Sequence, residues 1–191
     1  MKFYPNKTIG IFFDLHDTLL KCRGAWLAAF RKVCRNIAPL ELVAMYDSMS
    51  RKDMCEKLDV EYEQIKSLYN KKIRVNHAVF ACAKKLSKSY RVYIVSNASR
   101  DRVVRDCAKI KRLAITRIYT KEDGIKPAET YFRHIMRENG LSYAIMIGDK
   151  PTEDLIQAEN IGCVIISPRT SSKSLMEMIN IEMQRLLCSR L

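Results

Sequence analysis

Short apolar runs that end at polar residues are the feature that most limits how this chain can fold. The five runs lie at 9–13, 90–95, 115–119, 143–147 and 163–166, and helical patterns separate the later ones. Short apolar runs bounded by turn residues are typical of strands buried on both faces. Strands that alternate with helices predict βαβ units. We therefore expect an α/β fold, a doubly wound, Rossmann-like parallel sheet of about five strands.

Capping residues predict where the helices between the later strands begin and end. Ser99 can cap the first of them. Pro127 can open the second, which Gly140 would end. Thr152 can cap the third, which Gly162 would end.

The stretch from residue 22 to residue 88 departs from this alternation. Its apolar residues recur at helical spacing, as at Trp26 and Phe30, and Ser50 with Asp53 resembles a capping box. We expect a small all-helical insertion over 22–88. The α/β core would then comprise 1–21 and 89–191.

Composition limits the class of protein. A hydrophobic fraction of 48% with only 6 Gly and 5 Pro excludes collagen-like and disordered chains. No apolar run approaches the roughly 18–20 residues of a membrane span, and residues 1–7 lack the apolar segment of a signal peptide. The seven cysteines are odd in number and have no C-x-x-C spacing, which disfavours a zinc site. We expect a cytoplasmic protein with no membrane partner.

The net charge of +13 would attract anions such as phosphorylated metabolites, nucleic acid or an acidic surface. The richest basic run spans 100–117. A nucleic-acid footprint would have this composition, and so would a solvated outer helix. This run contains no interleaved aromatic residues on which bases could stack. Nucleic acid is therefore a possible partner that is not favoured.

Polar residues follow four of the predicted elements, at 14–18, 96–97, 126–127 and 148–154. Open α/β sheets bind ligands at the carboxyl ends of their strands, so these groups are expected at one edge. A carboxylate such as Asp14 can be a nucleophile, and phosphoryl transfer to it requires a cation and a lysine such as Lys126. Asp14 and Asp149 could supply the carboxylates for Mg²⁺, and Ser96 with Asn97 could hold phosphate oxygens.

These residues, in this order, resemble the motifs of the haloacid dehalogenase-like hydrolase superfamily. The similarity runs from Ile9 to Ile166, and the helical insertion is similar to the small cap of family members. The matching segments are Ile11-Phe12-Phe13-Asp14-Leu15-His16-Asp17-Thr18-Leu19, Val95-Ser96-Asn97, Gly124-Ile125-Lys126-Pro127 and Gly148 to Asp154.

The resemblance implies roles for single residues. Asp14 would be the nucleophile that becomes transiently phosphorylated. Ser96 would bind the transferred group, and Lys126 would hold both nucleophile and phosphate. The metal set implied for Mg²⁺ is Asp14, the backbone carbonyl of His16, Asp149 and, in support, Asp154.

One position departs from the family pattern. Phosphatases of this family usually carry a second Asp, two residues after the nucleophile, as general acid and base. Here that position is His16, and Asp17 stands where Gly is usual. Histidine can do acid–base work, although a nearby metal ion favours its neutral form. His77 and His134 fall on predicted helices and are expected to be structural or surface residues.

Three functions follow. We expect a Mg²⁺-dependent phosphatase that acts on a small phosphorylated substrate, with His16 as substituted acid/base. One alternative is dehalogenase-type chemistry at carbon. The other is a catalytically weak protein that binds a phosphorylated or nucleic-acid partner.

Overall fold

The computed structural model describes residues 8–188 of the chain. Residues 1–7, on which part of the expectation of a cytoplasmic protein rests, lie outside the described residues. The strands are β1 (Ile9–Phe13), β2 (Leu20–Lys21), β3 (Arg74–Val75), β4 (Arg91–Val95), β5 (Arg117–Tyr119), β6 (Tyr143–Gly148) and β7 (Ile161–Ile165). The helices are α1 (Arg23–Val33), α2 (Pro39–Ser48), α3 (Arg51–Lys57), α4 (Tyr62–Lys72), α5 (His77–Leu86), α6 (Arg100–Cys107), α7 (Glu129–Glu138), α8 (Pro151–Asp154) and α9 (Ser172–Cys188).

Five of the strands form one parallel sheet, which confirms the predicted number and direction of its strands. Their order is β5-β4-β1-β6-β7. β1 is central, and its last residue, Phe13, pairs with Ile94 on one side and Ile147 on the other. Every residue of β6 is buried. The sheet is therefore covered on both faces, which explains why its strands read as continuous apolar runs.

Aromatic side chains pack on one face of this sheet. Phe12 contacts Tyr93 edge-on, with ring centroids 5.3 Å apart, and Phe132 of α7 at 5.9 Å. α7 buries one apolar face, which consists of Tyr131, Phe132, Ile135 and Met136.

Two helix predictions are corrected in detail. α7 begins at Glu129 rather than at Pro127, with Ala128 as its N-cap. The helix expected from Thr152 to Gly162 is only the four-residue α8, and Gly162 lies inside β7. After α8 the chain leaves the helix so that Ile156 is buried, and its backbone N–H donates to Cys163 Sγ at 3.2 Å.

The chain divides into two compact units, an insertion of residues 20–74 and a larger unit formed by the described residues on either side. The predicted insertion, 22–88, is therefore too long. α5 belongs to the larger unit, because its apolar face is buried and packs against α9. In that contact Cys82 Sγ lies 3.1 Å from Met176 Sδ.

The insertion contains α1 to α4, and α1 packs against α4. Trp26 of α1 stacks on Tyr69 of α4, with ring centroids 4.2 Å apart. The Ser50 hydroxyl accepts a hydrogen bond from the Asp53 backbone N–H and caps α3 as predicted. Across residues 8–188, no helix combines the length and apolar character that crossing a membrane requires.

Candidate active site

Asp14 and Asp149 follow adjacent strands and so reach the same edge of the sheet. The Asp14 backbone N–H donates to the Ile147 carbonyl at 2.9 Å, which continues the β1–β6 pairing by one residue. β6 ends at Gly148, directly before Asp149. Both residues therefore lie at the carboxyl ends of adjacent parallel strands, where ligands of such sheets bind.

A buried lysine connects two carboxylates at this edge. Lys126 is 3% exposed, and its Nζ lies 2.9 Å from Asp14 Oδ1 and 2.5 Å from Asp154 Oδ1. Burial alone would lower the pKa of Lys126, but the charges of Asp14 and Asp154 outweigh it and raise that pKa above the usual value. Lys126 is therefore an ammonium donor that fixes the orientation of the Asp14 carboxylate.

The absence of a side chain at Gly148 makes room for Asp154. A Cβ at position 148 would overlap the Asp154 carboxylate. The second oxygen of that carboxylate, Oδ2, accepts the Lys150 backbone N–H at 3.0 Å. Both oxygens of Asp154 are thus engaged, which suits a residue that supports the site rather than one that reacts.

Asp149 lies among negative charges. The Thr18 hydroxyl donates to Asp149 Oδ1 at 3.2 Å. Burial, followed by the charges of Asp14, Asp17 and Asp154, raises the pKa of Asp149 to about 7. A carboxyl group in these surroundings favours a bound cation.

The donors at this edge fit Mg²⁺. Among residues 8–188 no group of three or more His, Cys, Asp or Glu side chains is placed to hold a metal ion. Mg²⁺ does not need such a cage, because it usually binds one or two carboxylates and keeps several waters. Asp14, Asp149 and the carbonyl oxygen of His16 are the residues that would hold it, with Asp154 in support.

Ser96 and Asn97 follow β4 and lie near the segment that contains Lys126. Ser96 is buried, and its hydroxyl accepts the Ala98 backbone N–H at 3.3 Å. The Asn97 side chain accepts the Lys126 backbone N–H at 2.8 Å and donates to Glu153 Oε2 at 3.0 Å. Asn97 therefore connects the segment that contains Lys126 to α8, which contains Glu153. Its contact with substrate stays a prediction.

His16 is paired with a buried carboxylate that the sequence analysis did not single out. His16 Nε2 lies 3.0 Å from Asp106 Oδ2, and Asp106 is 1% exposed. Burial would raise the pKa of Asp106, but hydrogen bonds from His16 and Arg105 outweigh it and lower that pKa. His77 and His134 are both exposed, as expected.

Asp17 adopts the left-handed conformation, with φ of 66°. Glycine adopts this conformation readily, and Asp tolerates it better than most residues with a side chain. The turn therefore explains why Asp can occupy a position at which the family usually has Gly.

Several residues of the basic run form ion pairs within the larger unit. Arg100 pairs with Asp123 at 2.7 Å, Arg105 with Asp106 at 3.0 Å, and Arg117 with Glu138. Part of the positive charge of this run is thus neutralised locally.

The structure brings Asp14, Lys126, Asp149 and Asp154 together, as the sequence order implies. It adds three residues that were missed: Thr18, Asp106 and Glu153. Asp106 carried a signal, since it follows Val103 by three residues on a helix face that is otherwise apolar. Thr18 and Glu153 lie in segments that resemble the family motifs, but no pattern in the sequence assigns them these contacts.

The fold and the site together form one arrangement: a Rossmann-like sheet with an aspartate, held by a buried lysine, directly after the central strand. A family model described as haloacid dehalogenase-like hydrolase matches residues 11–167, and the chain belongs to this family. No curated protein matches the sequence significantly.

Solved structures share the fold at low sequence identity. The HAD-hydrolase YfnB from Bacillus subtilis, bound to magnesium, is 16% identical, with a TM-score of 0.71 over 92% of this chain and 99% of that chain. A hydrolase from Streptococcus pneumoniae is 21% identical, with a TM-score of 0.67 over 91% and 99%. A protein assigned as a beta-phosphoglucomutase from Thermotoga maritima is 13% identical, with a TM-score of 0.68 over 96% and 100%.

Proposed function

We propose that the protein is a Mg²⁺-dependent phosphatase that acts on a small phosphorylated molecule through an aspartyl-phosphate on Asp14. The observation that carries this proposal is the buried Lys126, whose ammonium contacts Asp14 and Asp154 at 2.9 and 2.5 Å. The similarity to a magnesium-bound hydrolase and to a protein assigned as a phosphoglucomutase supports it.

In the first half-reaction, a carboxylate oxygen of Asp14 attacks phosphorus and the bond from phosphorus to the ester oxygen breaks. Lys126 holds the carboxylate in place and offers positive charge to the transferred group. The hydroxyl of Ser96 lies at the end of the neighbouring strand, where it can donate to a phosphate oxygen. Mg²⁺, when bound, neutralises negative charge on the phosphoryl oxygens.

The departing alkoxide takes a proton, and His16 is the residue that we assign to donate it. In the second half-reaction His16 accepts a proton from water, whose oxygen attacks the phosphorus of the acyl phosphate. The bond between phosphorus and Asp14 breaks, inorganic phosphate leaves and the carboxylate is restored. A positioned acid/base contributes about 10²–10⁴-fold to such a reaction.

The two alternatives make different demands on the site. Dehalogenase-type attack at carbon requires the Asp14 carboxylate but no cation, so the carboxylate charges that surround Asp149 favour the phosphatase. A binding protein would keep the anion site without turnover. A role for the insertion, residues 20–74, as a cap that selects the substrate stays a prediction.

The experiment is a panel of phosphate monoesters assayed with and without Mg²⁺. We expect wild type to release phosphate only with Mg²⁺, and Asp14→Asn to be inactive. Asp123→Asn is the matched control, because it makes the same change in an ion pair outside the site. Halide release from 2-haloacids without Mg²⁺ would favour dehalogenase chemistry, and no turnover on either panel would favour the binding protein.

A further inference from the structure

The buried ion-pair cluster around Asp106 lies outside the four segments that define the family site. Asp106 is on α6, and its side chain is 2% exposed. Its carboxylate contacts three basic groups: His16 Nε2 at 3.0 Å, Arg105 Nε at 3.0 Å and Arg102 Nε at 3.7 Å. A buried carboxylate is costly unless it is paired. The three contacts offset that cost, and we ask what the buried carboxylate does for His16.

We propose that Asp106 is a positioning residue for His16, which fixes the imidazole ring so that Nδ1 is the nitrogen that serves the reaction. An ionised carboxylate only accepts hydrogen bonds, so Nε2 carries the hydrogen in this pair. In the neutral ring Nδ1 then has the lone pair, and in the charged ring Nδ1–H is the donor. This inference rests on the proposed function of His16 as acid and base.

The geometry distinguishes this pair from an incidental contact. The side chain of His16 is 13% exposed, and a ring in a partly open site would otherwise turn freely about its side-chain bonds. Asp106 is fixed in turn by Arg105 on the same helix. The carboxylate therefore orients the ring by a chain of contacts that runs from α6 to the turn after β1.

The functional test uses Asp106→Asn, which keeps the size of the side chain and removes its charge. For esters with poor leaving groups, such as alkyl phosphates, we expect kcat/KM, which reports transfer to Asp14 and not the later hydrolysis, to fall about 10–100-fold. The same ratio for nitrophenyl phosphate, whose leaving group needs little protonation, should stay within about 3-fold. In a His16→Ala background the same substitution should have no further effect.

The matched control is Glu138→Gln, which removes a carboxylate charge from the ion pair with Arg117. It should leave kcat unchanged for both classes of ester. Arg105→Gln removes one contact to the Asp106 carboxylate and keeps the carboxylate itself, so it should lower kcat/KM for poor leaving groups by less than Asp106→Asn does. Equal losses of kcat/KM for good and poor leaving groups, or additive losses in the double variant, would overturn the proposal.

NMR spectra recorded without substrate test the positioning of His16 independently of the proposed phosphatase activity. The chain has three histidines, so a His16→Ala variant assigns the His16 ring signals in ¹⁵N-correlated NMR spectra. We expect a slowly exchanging Nε2–H proton in wild type that is lost or shifted in Asp106→Asn. If this proton is present but no ester is hydrolysed, the proposed function fails and the positioning stands. If esters are hydrolysed but the proton is absent, the positioning is wrong.

Discussion

The two compact units bury different kinds of side chain. Every buried polar or charged side chain within residues 8–188 belongs to the larger unit, and Asp14, Asp106, Lys126 and Asp154 are among them. In the insertion the buried side chains are apolar or aromatic, such as Trp26. Buried ion pairs often stabilise a protein less than apolar packing of the same volume. The charges of the larger unit are therefore best explained by chemistry, and the core of the insertion by packing.

The largest effect is expected at Lys126. Lys126→Met leaves two buried carboxylates without their ammonium partner, so the free energy of unfolding should fall by about 3–5 kcal/mol. Turnover should fall by about 10³-fold or more, because Asp14 loses its orientation and the transferred group loses a positive charge. Denaturant unfolding and phosphate release would measure the two losses. The control is Lys121→Met, an exposed lysine of the same loop, which should change neither. Normal turnover in Lys126→Met would contradict the claim that the buried charges of the larger unit serve the reaction.

Ile65 tests the other half. This residue of the insertion is fully buried, so Ile65→Ala should cost about 2–5 kcal/mol. Trp26 is the single tryptophan and is itself buried in the insertion, so its fluorescence follows unfolding of this unit. We expect a lower fluorescence midpoint and, under folding conditions, kcat for a small ester within about 3-fold of wild type. Leu40→Ala, at a position that is 83% exposed, should change stability by less than about 0.5 kcal/mol. Loss of turnover in a folded Ile65→Ala protein would show that the insertion contributes more than packing.

Mg²⁺ should stabilise the larger unit through Asp149. A ligand at 100 times its Kd stabilises the native state by about 2.7 kcal/mol, which corresponds to a rise in Tm of about 5–10 °C for a chain of this size. Asp149→Asn removes one of the two carboxylates that would hold the ion, so its Tm should not respond. Asp123→Asn should keep the full response. Thermal melts with increasing Mg²⁺ would show this, and an equal shift in Asp149→Asn would contradict the assigned ligands.

The smallest effect is expected at Asp123, which closes the loop after β5. Its carboxylate accepts hydrogen bonds from the Thr120 backbone N–H at 2.8 Å and hydroxyl at 2.9 Å. Burial alone would raise the pKa of Asp123, but these bonds and the charge of Arg100 outweigh it and lower that pKa below its usual value. A depressed carboxyl pKa contributes stability above the unfolded value that is lost as the pH falls through the folded value. Asp123→Asn should cost about 0.5–1 kcal/mol at pH 7, and the difference should vanish toward pH 3. A difference that grows on acidification would reverse the assigned direction.

Features that depend on a local sequence pattern could be predicted, and features that depend on contacts between distant residues mostly could not. The five strands of the sheet match their apolar runs to within two residues, because continuous burial leaves a continuous apolar pattern. The prediction of a helix from Thr152 to Gly162 was wrong. The burial of Ile156 and the strand through Gly162 depend on contacts between distant residues, which a local pattern does not show. Asp14, Lys126 and Asp149 could be predicted because parallel strands bring their carboxyl ends to one edge. Asp106 was missed although its place on an otherwise apolar helix face marks it as a buried carboxylate, because the helix pattern does not show that its partner is His16.

The most direct test of the account is to look for the phosphoryl group on Asp14. Wild type is mixed with a slowly hydrolysed phosphate ester and Mg²⁺, the reaction is stopped in acid, and the peptides are analysed by mass spectrometry. We predict one phosphoryl group on the peptide that contains Asp14, and none in Asp14→Asn. Turnover by wild type with the phosphoryl group on another residue, or undiminished turnover by Asp14→Asn, would contradict the assignment of Asp14 as the nucleophile.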